Sequence, residues 1–251
     1  MTTFAKKKTL NVRVRQIYFK SLHLGFLDSS FVPYKNEGAS HFLENEVYKK
    51  MFQEYDYNNS DYYGVLSWKF NQKHKMTGEK LRSLMEKDEY SSDVYSFFGK
   101  ESKQMMESTK MNTFFDRHHP NLNKIGQSIV SKLFKADISD IKAERIYYNH
   151  WIAKSSVWAS YVEEMLIPAM LLMEHDREIR DLCWEDAEYN TSPLISNGQT
   201  VGQVLQESFN VLSPAKCLDV FGVEYYPHHP FILERLPSIY FALKGYSLKH
   251  I

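Results

Sequence analysis

The sequence predicts an α/β fold with a helical C-terminal portion, carried as one domain over its 251 residues. Three observations predict it. Short apolar runs at residues 10–19, 61–70 and 94–98 have strand character. Amphipathic stretches with four-residue recurrence separate them. Strands alternating with helices favour a sheet covered by helices on its faces. The length is enough to bury a substantial core.

The elements follow in order. Leu10, Val12 and Val14 alternate with Asn11, Arg13 and Arg15, and Ile17, Tyr18 and Phe19 continue the strand. Residues 28–40 are rich in Ser, Pro, Asn and Gly, with Pro33 and Tyr34 among them, and read as a loop. Ser40 suits the N-cap of a helix. In it Leu43, Val47, Met51 and Tyr55 recur every four residues, Tyr48 and Phe52 widen the stripe, and Glu44, Lys49, Lys50 and Glu54 take the wet side.

A turn at residues 58–61 leads into the run Tyr62, Tyr63, Gly64, Val65, Leu66, Ser67, Trp68, Lys69, Phe70. This strand delivers a hydroxyl, an aromatic ring and a cation at its C-terminal end, where open α/β sheets hold their ligands. The alternative is a core strand with a solvated polar end. Residues 71–75 read as a polar connection. Thr77 then caps a second helix, with Glu79 in its first turn and Leu81, Leu84 and Met85 on its apolar face. Ser91, Ser92 and Asp93 turn into a second buried strand over 94–98, ended by Gly99.

Beyond it the pattern loosens through Met105, Met106 and Met111, until Ile125, Ile129, Leu133 and Phe134 mark a helix reaching about Lys135. Residues 144–153 read as a third buried strand, interrupted by Asn149 and His150. Ser155 or Ser156 should cap a long helix carrying Val157, Tyr161 and Met165, which Pro168 should kink or break. Residues 190–200 are loop-like and 201–209 suit a short helix. Near the end, Pro227, His228, His229 and Pro230 form a loop feeding an apolar helix over 231–243 that carries Glu234 and Arg235.

Composition excludes some functions. Lys plus Arg and Asp plus Glu both number 31, which argues against a nucleic-acid protein, since such proteins carry a basic excess. Aromatic residues make up 15%; they serve core packing and also stack on planar ligands. Cys183 and Cys217 lie in no CxxC spacing and read as reduced thiols of a cytoplasmic protein. Residues 1–8 form a flexible basic tail without a signal-peptide apolar segment, and no run reaches membrane-spanning length. Lys6, Lys7 and Lys8 suit either peripheral contact with an anionic membrane, at about 1 kcal/mol per charge, or a solvated end.

No Walker loop, GxGxxG, HExxH or GxSxG is present. Two His-His-Pro triplets stand at 118–120 and 228–230. Neighbouring histidines on extended chain point apart, so a metal would need one from each triplet; polar packing or substrate hydrogen bonding are the alternatives. Glu234 and Arg235 in an apolar helix need partners: either an ion pair, or a carboxylate base with its orienting cation at a cleft mouth.

Several segments together resemble an uncharacterised bacterial family found with surface-polysaccharide glycosyltransferases. Phe31, Val32, Pro33, Tyr34, Lys35 and Asn36 resemble its FIPYDN loop, and residues 62–70 its YGFLSPKF. Met76, Thr77 and Gly78 stand where TGLSG follows, residues 93–97 resemble DVYLFSP, and His118, His119 and Pro120 resemble HHPG. Residues 148–154 resemble CNYFVAKP, and residues 233–236 resemble the ERL helix of related transferase-like sequences. The chain departs where it has Thr113, Phe114 and Phe115 for EQG, Trp68 for Pro, and Asn121 for Gly.

The resemblance implies a GT-A-like, Rossmann-related mixed sheet flanked by helices. It also implies sugar transfer from a nucleotide-sugar donor to a glycan or lipid-linked glycan acceptor, in the cytoplasm or at the inner face of the membrane, alongside other polysaccharide-biosynthesis enzymes. Such transfer needs charge stabilisation on the leaving diphosphate, by Mn2+ or Mg2+ or by Lys and Arg, and, in an inverting enzyme, a carboxylate base. A DxD is absent. The nearest acidic pairs, Glu54 with Asp56, Glu174 with Asp176, and Asp186 with Glu188, fall on predicted helices. On this reading Tyr63 and Asp93 line the donor site, and Lys69, Lys154 and Arg235 meet the diphosphate. Asn149 and His119, with His118 beside it, hold sugar hydroxyls, and Glu234 or Asp61 is the base. The lost EQG and the missing DxD favour the other reading, a non-catalytic glycan-binding or docking partner of a transferase.

Overall fold

The computed structural model describes residues 10–38, 40–97, 109–110, 119, 121–146, 148–187 and 214–251. Strand β1 (Val12–Tyr18) leads through a 3-10 segment (Ser21–Phe26) to β2 (Val32–Lys35), and then to helix α1 (Asn45–Gln53). A second 3-10 segment (Asp56–Asn59) precedes β3 (Tyr62–Ser67), followed by α2 (Phe70–His74), α3 (Gly78–Lys87) and β4 (Val94–Ser96). A two-stranded ribbon pairs β5 (Thr109–Lys110) with β6 (Lys142–Ala143), and α4 (Leu122–Phe134) lies between them in sequence. Strand β7 (Trp151–Lys154) enters α5 (Ser155–Tyr161), a π turn (Val162–Leu166) and α6 (Ile167–His175). Helices α7 (Arg177–Cys183), α8 (Pro214–Phe221), α9 (His229–Leu233) and α10 (Leu236–Lys244) precede β8 (Leu248–His250).

The fold is α/β, with a mixed six-stranded sheet flanked by helices in a Rossmann-like layout. Its order is β2-β1-β3-β7-β4-β8. Every pairing is parallel except those of β7, which runs against both β3 and β4. Five strands therefore end on one edge, the edge on which β7 begins. Period-two alternation divides the core. Tyr63 and Val65 enter a large cluster with Val47, Tyr48 and Met51 of α1, Ile125 and Ile129 of α4, Trp158 of α5 and Ile239 of α10. Tyr62 and Leu66 enter a smaller cluster on the other face, with Phe70, Leu81 and Met85.

Several expectations hold locally. Thr77 caps α3, its Oγ1 accepting from Lys80 N–H at 3.2 Å. Others need correction. The loop read at 28–40 contains β2, whose Pro33 gives no N–H to a ladder and is tolerated because β2 is an edge strand. The polar connection at 71–75 is mostly α2, ended by Lys75 in the left-handed region at φ 48°. Helix α1 starts five residues after Ser40, whose Oγ accepts from Phe42 N–H in the preceding turn.

The strand read at 144–153 is cut down to β7, because Tyr148 and Asn149 take left-handed φ of 61° and 53° and turn the chain. Pro168 stands in the first turn of α6, directly after a π turn that divides the helical run. It has no N–H for an α-helical bond, and the preceding π turn, in which Ile167 N–H reaches Val162 O, absorbs the defect. The helix read at 231–243 is two helices with Glu234 and Arg235 at the joint. Residues 98–99 and the short helix read at 201–209 lie outside the described residues. No helix among the described residues is long and apolar enough to cross a membrane.

Candidate functional site

The edge where five strands end and β7 begins gathers the chemistry. Strand β3 ends at Ser67, which stays partly exposed, and Trp68 and Lys69 turn the chain into α2. Ser67 Oγ lies 2.9 Å from Nε2 of His150, the residue before β7, and His150 Nδ1 lies 2.7 Å from Nε2 of His74, the last residue of α2. The direction of this chain follows from its far end. His74 Nδ1 is buried with no hydrogen-bond partner among the described residues. A buried N–H without an acceptor costs about 1–3 kcal/mol, and orphaned donors are rarer than orphaned acceptors. The proton therefore sits on His74 Nε2, which donates to His150 Nδ1, and His150 Nε2–H donates to Ser67 Oγ.

This leaves the Ser67 hydroxyl proton available to a ligand. Burial, then Lys73, lowers the His74 pKa to about 4, and burial, His74 and Lys73 push His150 well down too. Both rings are neutral at neutral pH.

The acid side comes from two helix ends. Glu44 precedes α1, and Glu234 sits between α9 and α10. Both are recessed yet keep partial solvent access, as groups at the bottom of a depression do. Burial, reinforced by the Glu44 charge, raises the Glu234 carboxyl to about 7 against the opposing pull of Arg235 and Lys73. Glu44 is raised by burial, and Asn149 Nδ2 donates a long 3.5 Å hydrogen bond to its Oε1.

Burial lowers the Lys73 ammonium, against the stabilising charges of Glu234 and Glu44, and its Nζ stands 3.9 Å over the Tyr148 ring centroid. The left-handed turn that presents Tyr148 and Asn149 is held by Tyr48, whose hydroxyl shares its proton between the carbonyls of Val65 (3.0 Å) and Asn149 (3.1 Å). Behind the edge, Gln16 bonds Ser67 O, Asn71 and Asp28 N, and Asp28 accepts from Asn71 and Gly78, fixing the start of α2 and α3.

A second Ser–His chain stands on the same edge. Ser96 Oγ bonds His250 Nδ1, and His250 Nε2 lies 3.0 Å from Glu144 Oε2. Ser96 is fully buried, so this chain latches β8 to β4 and offers a substrate nothing.

The predicted site residues divide between two edges. Glu234 and Asn149 lie in the site just described. Lys69 is at its rim, 5.0 Å over the Trp68 ring. Asp61, at the start of β3, accepts from Asn11 N–H at 2.8 Å. Asp93, at the start of β4, binds Lys154 Nζ at 2.8 Å and the N–H and hydroxyl of Ser247. These three stand at the other edge, with Asp61 six residue steps of about 3.3 Å from Ser67, and cannot share a cleft with Glu234.

Tyr63 is fully buried and donates to Asp56 at 2.6 Å, in a cluster closed by Arg13 and Arg15. It lines no donor site. Arg235 is buried and donates from Nη1 to Phe231 O at 2.6 Å, which turns it into the α9–α10 joint. His119 is buried, with Nδ1 3.1 Å from Ala187 O and its ring stacked 3.7 Å from Phe231. It packs the core, and His118 lies outside the described residues. His229 is buried among His41, Phe42 and Trp184.

Sequence reasoning missed Glu44, Lys73, His74 and His150 as site residues. A polar His150 inside an apolar run was a readable signal; Glu44, Lys73 and His74 gave none.

For Mn2+ or Mg2+ the described residues do not fit: no group of three His, Cys, Asp or Glu among them is placed to hold a metal ion. Asp56 is engaged by two arginines and Asp176 caps α7, accepting from Ile179 N–H at 3.2 Å, while Glu188 of the third acidic pair lies outside the described residues. Two surface hollows, about 440 Å³ beside Asn121 and Gln127 and about 510 Å³ beside Tyr34 and Lys50, lie apart from these groups. Two recessed carboxylates, a buried imidazole and a lysine with an exposed side chain meet at the sheet edge, so chemistry and not volume locates the site. No family model, curated protein or solved structure matches this chain.

Proposed function

We propose that this protein is a glycosyltransferase moving a sugar from a nucleotide-sugar donor to a glycan or lipid-linked glycan acceptor in bacterial surface polysaccharide synthesis. The layout is then GT-A-like and the place of work the inner face of the membrane. The observation that carries the reading is Glu234, a recessed carboxylate poised near neutrality beside Lys73 at the ligand-binding edge of an α/β sheet.

In this mechanism Glu234 takes the proton of the acceptor hydroxyl as that oxygen attacks the anomeric carbon, and the nucleoside diphosphate leaves with the bonding pair. Lys73 and Lys69 stabilise the charge on the departing diphosphate, without a metal among the described groups. Ser67 donates from its hydroxyl, and Asn149 hydrogen-bonds sugar hydroxyls from the turn before β7. The resemblance of residues 62–70 and 148–154 to a transferase-associated family supports the same reading.

The test is isothermal titration with UDP-, GDP-, CMP- and dTDP-sugars, followed by turnover with the donor that binds. Glu234→Gln should retain donor binding and lose turnover by about 10²- to 10⁴-fold. Lys73→Met should weaken donor binding. Binding of glycan without any nucleotide-sugar would favour the non-catalytic partner, a reading supported by the missing DxD and by Thr113, Phe114 and Phe115 standing in place of the EQG of the family it resembles.

A further inference from the structure

We infer that the loop from Phe19 to Phe26 is a membrane-docking surface that seats the strand-end edge of the sheet on an anionic bilayer.

The loop exposes Phe19 (42%), Leu22 (66%), Leu24 (48%) and Phe26 (43%) within eight residues. Single exposed apolar side chains are ordinary, but a contiguous set marks an interaction surface. The set is held in place. His23 is buried, accepts from Phe19 N–H at 3.3 Å and stacks 4.0 Å from Trp68, and Phe26 tilts against the same ring at 5.6 Å. Trp68 thus acts as the buttress of the loop.

The charge pattern names the occupant. No acidic residue occurs between Asn11 and Leu27, and the first one after it, Asp28, is consumed by bonds to Ser30, Asn71 and Gly78. Lys20 lies inside the loop and Lys69 over the Trp68 ring, and both charges depress the His23 pKa after burial has done so. Apolar tips flanked by Lys20 and Lys69, with an amphipathic Trp at their base, match the boundary between anionic headgroups and acyl chains.

A second copy of the chain fits less well. Four half-exposed side chains present roughly 400 Å², about half of what each partner buries in a stable dimer. The inference goes beyond sugar transfer and holds whatever the cleft does.

The experiment is co-sedimentation with vesicles of phosphatidylcholine alone or mixed with phosphatidylglycerol. The protein should partition onto the mixed vesicles, less so as ionic strength rises from about 0.1 to about 1 M and the Debye length falls from about 10 to about 3 Å. Leu22→Asp with Leu24→Asp should cut partitioning at least about tenfold and leave circular dichroism and Tm unchanged, since both positions are exposed. Brominated lipid should quench wild-type fluorescence, and Trp68→Phe should remove that quenching. Absent partitioning, equal partitioning of the double variant, or a micromolar dimer abolished by it would each overturn the inference.

Discussion

Replacing Glu234 with Gln should stabilise this protein while disabling it. The wild-type carboxyl is raised from an ordinary 4.5 to about 7, chiefly by burial and then by the Glu44 charge. Below about pH 4.5 the folded and unfolded chains are both protonated here, and stability does not change with pH. Between about 4.5 and about 7 the folded state keeps a proton that the unfolded state has lost, so stability falls as pH rises; above that it levels off. At 1.36 kcal/mol per tenfold change in proton affinity, the whole fall amounts to about 3 kcal/mol.

Gln keeps the shape and carries no proton to lose. At about pH 8.5 the variant should therefore be more stable by about 3 kcal/mol, or roughly 6–12 °C in Tm for a chain of this size. At about pH 4 the two should coincide within roughly 0.5 kcal/mol. Urea denaturation at both pH values, with turnover measured beside it, reads the effect. A variant that is less stable at the higher pH would show Glu234 ionised and paired with Lys73 or Arg235, and the assignment of the base would fail.

Two other substitutions test the frame. A Cβ at Gly64 would stand 2.6 Å from Ile152 Cγ1 and 3.1 Å from Trp151 O. Gly64→Ala should cost about 1–3 kcal/mol by forcing β3 and β7 apart, measured by equilibrium denaturation. Asp93→Asn should cost about 1–2 kcal/mol at neutral pH, discounted because Lys154 is partly exposed. Burial pushes the Asp93 carboxyl up, but its bonds from Lys154 and Ser247 outweigh that and hold it below the ordinary value. Its contribution is complete above that value and lost as pH falls through the folded one, so the gap between wild type and variant should close in acid. Donor binding at the opposite edge should not change.

The sequence reveals elements whose signal is local. Apolar runs mark β1, β3 and β4, and helical stripes mark α1, α3 and α4. It hides what depends on partners. Strand β8 has three residues and is defined only by β4 beside it. Left-handed Tyr148 and Asn149 carry no glycine to announce the turn that shortens β7. For the site, Asp61 and Asp93 precede their strands while Ser67 ends one, so parallel strands alone would have set them on opposite edges. Lys154 ends its strand yet joins Asp61, because β7 is antiparallel, and only the pairing reveals that. Glu44 read as a wet helix face until Glu234, distant in sequence, was folded against it.

The π turn before Pro168 also preserves a phase. A straight α-helix advances about 100° per residue, and a turn bonded from i to i+5 takes up one residue more, so the surplus residue in Val162–Leu166 is absorbed where it lies and the helix after it keeps its phase. Ala169, Met170 and Met173 therefore join the same core as Val157 and Trp158 upstream. Deleting one residue from the turn would restore α-helical bonding and leave that apolar face in place, but it would press the Pro168 ring against the carbonyl four residues before it. The turn is thus an expansion joint between two helices: a one-residue change in length there is taken up as slack and not as rotation.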